Sequence, residues 1–276
     1  MSSILTNNSA MAALQTLQTI NKGLTSTQDR ISTGLKISSG KDNAAYFSIS
    51  ETMKGDSSMY KAIDEALTLT QNAVSTARLG AETVESVARE FAERVAFAQG
   101  GTEGVRADVQ KELDELVARI NTTIAQSTFN GTSLVEGSTA VTVVTGISRD
   151  AAGAVSTTSI TFNQQDLSQI ATDLAAIDLN DAAIPMADHL TAAESALDAA
   201  IVAATALGIA EKSIETQKEF LGALTNRLDS GVGSMVDANM EGEAARLQSL
   251  QVQQQLATQS LSIANQAPQN ILSLFR

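Results

Sequence analysis

The single histidine of the chain lies in the stretch of sequence that offers the most ligands for a metal ion. His189 directly follows Asp188, and Asp178 and Asp181 lie shortly before it. One imidazole and several carboxylates could together hold a divalent cation such as Zn²⁺. An acidic loop in contact with water explains the same residues without an ion. We prefer this second interpretation and predict no metal site.

The common motifs of catalysis do not occur in the sequence. It contains no glycine-rich phosphate-binding loop, no nucleophile elbow and no HExxH pair of metal ligands. The absence of cysteine excludes thiolate metal sites and disulfides. Most carboxylates fall on the polar faces of predicted helices, where contact with water accounts for them. We therefore predict that the chain is not an enzyme and binds no cofactor.

Four polar residues interrupt the otherwise apolar faces of the predicted helices: Glu211, Lys218, Glu243 and Gln254. A polar residue on the contact face between two helices can fix their register and their choice of partner. Alternatively, the apolar pattern drifts around a straight helix, which leaves the same positions exposed. The sequence leaves both interpretations open.

Composition favours long helices with narrow contact faces over a thick globular core. Of the 276 residues, 43% are hydrophobic but only 3% are aromatic, with no Trp, no Cys and 2 Pro. Such a chain can pack Ala, Leu and Val between helices but has few large side chains to fill a wide interior. The hydrophobic fraction also argues against a wholly disordered chain.

The acidic charge is concentrated in the middle of the chain. The formal net charge is −13, which makes nucleic acid an unsuitable partner. By residue count, 1–45 carry +2, 237–276 carry −1, and 46–236 carry −14. We therefore expect the middle to face water and the two ends to be buried against other protein.

The first residues, MSSILTNNSAMAAL, lack the features of a targeting or membrane segment. They contain no basic leader and no long apolar run. We expect a protein that stays in the cytosol or is exported without a cleaved signal peptide, and that does not insert into a membrane.

Five segments have apolar residues at the alternating three- and four-residue spacing of a helix: 4–35, 59–98, 105–125, 190–230 and 236–264. Glycines near positions 34, 100 and 231, and a proline at 268, are predicted to end them. The longest segments share a heptad contact face, which consists of Ile63, Leu67, Val74, Val84, Phe91 and Val95, then Leu197, Leu207, Ile214, Leu221 and Leu228.

Residues 130–189 change character. Segments 139–147 and 154–162 are rich in Val, Thr and Ile and predict a β-hairpin, followed by a short helix at 166–176 and a loop at 178–188. The predicted fold class is mainly α: an elongated, antiparallel, coiled-coil-like helical hairpin with N- and C-terminal helices paired and a small β-hairpin insert. An ordinary helical bundle is the alternative.

Four segments resemble the signatures of bacterial flagellins. They read RISTGLKISSGKDNAAYFSIS at 30–50, STFNGTSL at 127–134, VDANMEGEAARLQ at 236–248 and ANQAPQNILSLFR at 264–276. The signature positions include Arg30, Gly34, Asp42, Asn43, Asn130, Gly131, Asp237, Asn265, Pro268 and Asn270. Asn43, Tyr46 and Phe275 depart from the Asp, Gly and Leu that are commoner in the family.

The resemblance implies a helical homopolymer outside the cell, the filament of the flagellum, which acts as a propeller. Residues 1–45 and 237–276 would form its inner tube, 46–131 and 190–236 the surrounding layer, and 132–189 an outward-facing insert. It also implies an export chaperone, a filament cap and hook-junction proteins as partners. The tube-forming seam would comprise Leu17, Ile20, Leu24 and Ile31, then Leu247, Leu250, Leu261, Ile271, Leu272 and Leu274.

Terminal segments with so few charges cannot cover both faces in a single molecule, so we expect them to be disordered before neighbouring subunits bind. Two alternatives to a filament subunit remain at this point. A hook–filament junction protein has similar ends but forms no long polymer, and a cytosolic coiled-coil adaptor would have ordered ends and a fixed oligomeric state.

Overall fold

The structure is a computed structural model that describes residues 7–150, 153–181 and 183–273, with the backbone alone from residue 267 onward. Its elements follow in chain order: α1 Asn8–Thr33, α2 Ala44–Ala98, α3 Glu103–Gln126, β1 Thr128–Phe129, β2 Thr132–Ser133, β3 Ala140–Arg149, β4 Val155–Asn163, α4 Leu167–Ala175, α5 Met186–Val236 and α6 Met240–Ser273. The predicted class, mainly α with paired terminal helices and a small β insert, is confirmed.

The chain divides into two compact units. Unit 1 comprises residues 1–57 and 227–276, and unit 2 comprises residues 58–226. Unit 1 therefore combines the beginning and the end of the sequence, whereas unit 2 is one continuous segment.

Unit 2 contains the larger hydrophobic core. The apolar face of α2 supplies fully buried side chains such as Leu67, Val84 and Phe91. They pack with Leu113 and Ile120 of α3, with α4, and with the small and branched residues along α5. Many of the buried positions on α2 and α5 are alanine, which permits the close helix packing that the composition predicts.

The β insert is a two-stranded antiparallel hairpin, β3–β4, with a register shift between Val144 and Gly146. One of its faces packs on the core of unit 2 through Val141, Val143 and Phe162. Two hydrogen bonds reach its backbone from the helices. The Tyr60 hydroxyl donates to the Ile147 carbonyl at 3.1 Å, and the Gln217 amide donates to the Thr145 carbonyl at 2.9 Å.

Helix α2 begins at Ala44, well before the segment that periodicity identified. The side-chain oxygen of Asn43 accepts hydrogen bonds from the backbone N–H groups of Ala45 and Tyr46, both at 3.1 Å. A residue with a short polar side chain can start a helix in this way where the apolar pattern is weak.

The prediction that Gly231 and Gly233 break the helix is wrong, because α5 continues to Val236. Both glycines have another side chain at close range. A Cβ on Gly231 would lie 2.9 Å from the Met53 methyl group, and one on Gly233 would lie 2.6 Å from a carboxylate oxygen of Asp237. Here glycine serves close packing within a helix.

The prediction that Pro268 ends the last helix is also wrong, since α6 extends to Ser273. A proline inside a helix removes one backbone donor but does not end the helix if the freed carbonyl finds another partner. Such a partner is present, because the side-chain amide of Asn7 donates to the Ala264 carbonyl at 2.8 Å.

His189 does not lie in the solvated loop that we predicted. It falls in the first turn of α5, is 3% exposed, and its Nε2 atom has no hydrogen-bond partner. Within the described ranges, no three side chains of His, Cys, Asp or Glu come together as a metal site.

Helix α5 is long and apolar enough, by length and composition, to cross a membrane. Its buried positions, among them Ala193, Ala200, Leu207, Ile214 and Leu221, belong to the core of unit 2. A core helix of a soluble protein passes the same test, and the prediction of no membrane insertion stays a prediction.

Gly80 lies where α2 passes the end of α3, and it provides a test of this packing. A Cβ at position 80 would lie 2.7 Å from the Ser127 Cβ and closer still to its hydroxyl. We expect Gly80→Ala to lower the free energy of unfolding of unit 2 by about 1–3 kcal/mol. Urea unfolding followed by circular dichroism measures the change.

Gly222→Ala is the matched control, because this helical glycine has nothing within 4 Å of the added methyl group. The Gly222→Ala substitution should raise the free energy of unfolding by up to about 1 kcal/mol. Adding Ser127→Gly to Gly80→Ala should recover most of the loss. Equal effects of the two alanine substitutions would contradict the proposed clash.

Candidate functional site

The paired helices α1 and α6 of unit 1 form a layer only two helices wide. Thr27 is the buried residue of α1, and Ala257 is buried on α6. The predicted seam residues Leu17, Ile20, Leu24, Ile31, Leu247, Leu250 and Leu261 are each half-buried. Their neighbours on the outer faces remain in contact with water: Met11, Leu14, Val252, Leu256 and Ile263 are 46–63% exposed.

Polar contacts across this helix pair show that it is antiparallel. Arg30 of α1 forms an ion pair with Glu243 of α6 at 3.1 Å, and the amide of Gln254 donates to Asn21 at 2.7 Å. An earlier residue of α1 thus meets a later residue of α6. Both predicted polar seam positions of α6 contact α1.

The Arg30–Glu243 pair lies largely out of water. The side chain of Arg30 is 31% exposed and that of Glu243 is 13% exposed. The second carboxylate oxygen of Glu243 is buried and has no hydrogen-bond partner. This carboxylate therefore depends on a single guanidinium for the compensation of its lost hydration.

The two connectors that interrupt the helices meet each other. Gly34 ends α1 in the left-handed conformation at φ 72°, and its carbonyl accepts from the Ala238 N–H at 2.8 Å. The Lys36 N–H donates to the Val236 carbonyl at 2.6 Å. Beneath this crossing lies a small cluster of the buried residues Ile37, Val232 and Val236.

Asp42 organises the turn that leads into α2. Its carboxylate accepts from the backbone N–H and hydroxyl groups of both Ser38 and Ser39, at 3.1–3.3 Å. These hydrogen bonds, first the one from the Ser38 backbone, lower the pKa of Asp42. The lowered pKa means that this stabilisation of the turn is complete above the ordinary carboxyl pKa and is lost as the pH falls through the lowered value.

Several of the signature positions thus have local structural roles in unit 1: Arg30, Gly34, Asp42 and Asn43. Asp237 follows the last residue of α5 and forms an isolated β-bridge with Leu35. In unit 2, Asn130 and Gly131 form the turn of the β1–β2 hairpin, both at positive φ. Asn265 is exposed on α6, whereas the side chains of Pro268, Asn270, Ile271 and Leu272 and all of Leu274 lie outside the described residues.

The two remaining polar seam positions, Glu211 and Lys218, also contact a partner helix, within unit 2. Arg78 of α2 donates to Glu211 at 2.6 Å, and the Lys218 ammonium donates to Gln71 at 2.9 Å. The hydrogen bond from Arg78 to Glu211, followed by that to Glu82, raises the pKa of Arg78. These contacts favour the interpretation that polar residues on the seams fix register.

The heptad face predicted from sequence lies largely inside unit 2. Leu67, Val74, Val84, Phe91, Val95, Leu207, Ile214 and Leu221 are at most 1% exposed. Ile63, Leu197 and Leu228 are half-buried. Their assignment to a layer of an assembly remains a prediction.

Some polar contacts of unit 1 had no signal in the sequence. The Ser57 hydroxyl is buried and donates to Asp229 at 2.6 Å, and the side-chain amide of Asn7 donates to the Ala264 carbonyl at 2.8 Å. In the sequence, Ser57 and Asn7 look like ordinary polar residues on exposed helix positions. A pairing signal would have required the register of the two helices in advance.

Charge divides sharply between the two units. Unit 1 contains eight basic and eight acidic side chains, whereas unit 2 contains ten basic and twenty-three acidic ones. The whole formal charge of −13 therefore belongs to unit 2. Unit 1 combines zero net charge with exposed apolar side chains, which is the character of a surface that other protein covers.

Comparison with known proteins finds the same protein family at both ends of the chain. A family model described as the bacterial flagellin N-terminal helical region matches residues 4–140, and one described as the bacterial flagellin C-terminal helical region matches residues 190–275. The two matched regions leave out most of the β3–β4 hairpin and all of α4.

Individual relatives match over the full chain. A flagellin of Brucella melitensis biotype 1 is 39% identical, with all of both chains covered. Flagellin FljK of Caulobacter vibrioides is 33% identical, with 100% of this chain and 99% of the relative covered. A crystal structure of Bacillus cereus flagellin covers 66% of this chain and 94% of its own, at 17% identity and a TM-score of 0.39.

The Arg30–Glu243 pair predicts an asymmetry between its two partners. Arg30→Met leaves a largely buried carboxylate without compensation, whereas Glu243→Met removes that carboxylate. We expect Arg30→Met to lower the stability of the α1–α6 pair by about 1–3 kcal/mol, and Glu243→Met to lower it by clearly less. Amide hydrogen exchange in α1 and α6, followed in assembled protein, measures the difference.

The double variant Arg30→Met with Glu243→Met is the control, because it restores an apolar contact. Its exchange rates should return toward those of the unmodified chain. If the double variant exchanges as fast as Arg30→Met alone, the cause is loss of packing around Arg30 and not the unpaired carboxylate.

Proposed function

Because the chain belongs to the bacterial flagellin family and is a structural subunit of the flagellar filament, we propose that residues 1–45 and 237–276 form the inner tube of that filament. The chain is a structural protein, not an enzyme, and it polymerises with copies of itself. The observation that carries the proposal is the exposed apolar surface on both α1 and α6.

A two-helix layer has too little interior to satisfy this surface within one molecule. On α1, Met11 is 61% exposed, and on α6, Leu256 is 63% exposed. In a helical homopolymer, each such face meets a different face of a neighbour, and the contact repeats along the filament. Covering these side chains removes apolar area from water in every subunit that joins.

We assign residues 46–131 and 190–236 to the layer around the tube, and residues 132–189 to an outward-facing insert. The −13 charge of unit 2 supports this assignment, since a highly charged surface is stable in water and costly to bury. The exposed face of the β3–β4 hairpin, rich in Ser and Thr, supports the outward position of the insert.

The ends of the chain would be disordered before assembly and ordered by it. Half-buried seam residues such as Leu17 and Leu250 contribute little stability to an isolated helix pair, so neighbouring subunits supply the remaining burial. Folding coupled to assembly confines polymerisation to sites where a growing end presents the complementary surface.

The function of such a subunit is mechanical. The filament lies outside the cell and acts as a propeller for swimming. Torque applied at its base passes along contacts between subunits, and the shape of the filament depends on how these subunits pack. We propose the export chaperone, the filament cap and the hook-junction proteins as further partners, on family resemblance.

Export without a cleaved signal peptide belongs to the same proposal. This part of the proposal rests on the family resemblance alone. N-terminal sequencing of filament protein should then begin at Met1 or Ser2, whereas a start further along the chain would contradict uncleaved export.

The two alternatives from sequence are not favoured, because the full-length relatives described above are flagellins. A junction protein would not form long polymers by itself. A cytosolic adaptor would form a soluble oligomer of fixed size.

Truncation tests the assignment of the ends. Deleting residues 1–30 or 250–276 should abolish polymerisation, because either deletion leaves the exposed face of the remaining terminal helix without its partner. The helicity of unit 2 should persist. Negative-stain electron microscopy and circular dichroism measure the two properties.

An insertion of about 25 Gly and Ser residues between Asp150 and Gly153 is the control, because loop tips tolerate such changes. It alters chain length by a similar amount and should leave polymerisation intact. Filaments of normal length from either terminal deletion would contradict the inner-tube assignment.

A further inference from the structure

Pro268 creates a local defect in the last helix. It lies inside α6, which runs from Met240 to Ser273. Because proline has no backbone N–H, the carbonyl of Ala264, four residues earlier, receives no hydrogen bond from within the helix. A carbonyl left without a donor in a partly buried site weakens the helix at this point.

The missing donor comes from the opposite end of the chain. The side-chain amide of Asn7 donates from Nδ2 to the Ala264 carbonyl at 2.8 Å, across a separation of 257 residues. Both Asn7 and Ala264 are half-buried. The bond therefore joins the first turn of α1 to the carbonyl that the proline leaves free.

The same side chain also begins α1. The Asn7 Oδ1 atom accepts from the backbone N–H of Ala10 at 3.0 Å, which is the N-cap of this helix. One amide thus satisfies two helix defects, a free N–H at the start of α1 and a free carbonyl inside α6. Among short polar side chains, Asn alone offers a separate donor and acceptor for these tasks, because Asp has no donor and Ser has one oxygen.

We propose that Asn7 is the positioning residue that lets α6 continue past Pro268, so that the last turns of the chain become helical only when the start of α1 is docked. Ordering of the two ends is then a single event. The consequence for assembly rests on the proposed placement of α1 and α6 in the filament core, while the local consequence for α6 does not.

Asn7→Asp separates the two tasks of the side chain. It keeps an acceptor for the Ala10 N–H, and a negative charge suits the N-terminus of a helix. It removes the donor and places a carboxylate beside the Ala264 carbonyl. Pro268→Ala is the complementary change, because alanine restores a backbone N–H for Ala264 and makes the Asn7 donor redundant.

The experiment uses the full chain in four forms: unmodified, Asn7→Asp, Pro268→Ala and the double variant. The critical concentration for filament growth is measured by light scattering and electron microscopy. We expect Asn7→Asp to raise it about three- to tenfold, the range for one hydrogen bond. In the Pro268→Ala background, the same change should have less than a twofold effect.

Asn8→Asp is the matched control. Asn8 is the adjacent residue, is exposed, and undergoes the same change of charge. It should leave the critical concentration within twofold of the unmodified chain. Equal effects of Asn7→Asp and Asn8→Asp, or an Asn7→Asp effect that is unchanged by Pro268→Ala, would overturn the proposal.

Amide hydrogen exchange in assembled filaments provides a local measurement. Asn7→Asp should speed exchange in residues 265–273, and Asn8→Asp should not. If Pro268→Ala does not polymerise alone, labelled variants copolymerised into an excess of unmodified subunits serve instead. There the double variant should exchange more slowly in this segment than Asn7→Asp, and equal rates would overturn the proposal.

The same measurement separates this proposal from the placement of the helices. Fast exchange throughout α1 and α6 in unmodified filaments would contradict the inner-tube assignment. Protection of both helices that Asn7→Asp leaves unchanged in residues 265–273 would contradict only the role of Asn7.

Discussion

Two helices that pair along one seam can each bury one narrow face, and unit 1 is built under this limit. Where its connectors cross, Ile37, Val232 and Val236 are buried. Along α1 and α6, however, the seam residues are only half-buried. Within the described part of the unit, apolar side chains on the outer faces, such as Met11 and Leu256, remain largely in contact with water. On the proposed inner-tube assignment, other subunits cover the exposed leucines and isoleucines of these helices, and this burial supplies free energy for polymerisation. Stability and assembly of this unit would then be one property.

Unit 2 can bury more of each helix, because it contains additional helices and a β-hairpin. Helices α3 and α4 and the β3–β4 hairpin cover the α2–α5 pair, so that Phe91, Leu113 and Ile214 are fully buried. The unit can then carry the whole formal charge of −13 on its surface. Such a charge repels neighbouring copies and favours solubility, whereas the neutral unit 1 has no net charge to oppose its contacts. One chain thereby combines an acidic unit that has a hydrophobic core with a neutral unit whose terminal helices expose apolar side chains.

Helix identity and the buried face of α2 followed from apolar spacing, because burial on one side of a helix leaves a strong period in the sequence. The wrong helix ends arose at residue types that can either end a helix or lie inside one. Gly231 and Gly233 ended the predicted helix, yet both lie within α5, where Met53 of α2 and Asp237 of the following connector approach them closely. Pro268 and His189 were likewise assigned from local rules, yet α6 continues past Pro268 and the His189 side chain is buried. The connector contacts at Gly34 and Val236 could not be predicted, since they depend on the register of two distant segments.

Register is a specific difficulty for a seam rich in alanine, because small side chains fit against a neighbouring helix in more than one alignment. Two polar contacts between α2 and α5 remove this ambiguity in unit 2. Moving seven residues along α2, from Gln71 to Arg78, corresponds to moving seven residues back along α5, from Lys218 to Glu211. A shift of the pair by one turn would separate both contacts at once and leave partly buried polar groups unpaired, at a cost of about 1–3 kcal/mol for each. In a polymer, a subunit with shifted helices would mismatch every neighbour, so polar residues that weaken the seam also keep all copies alike.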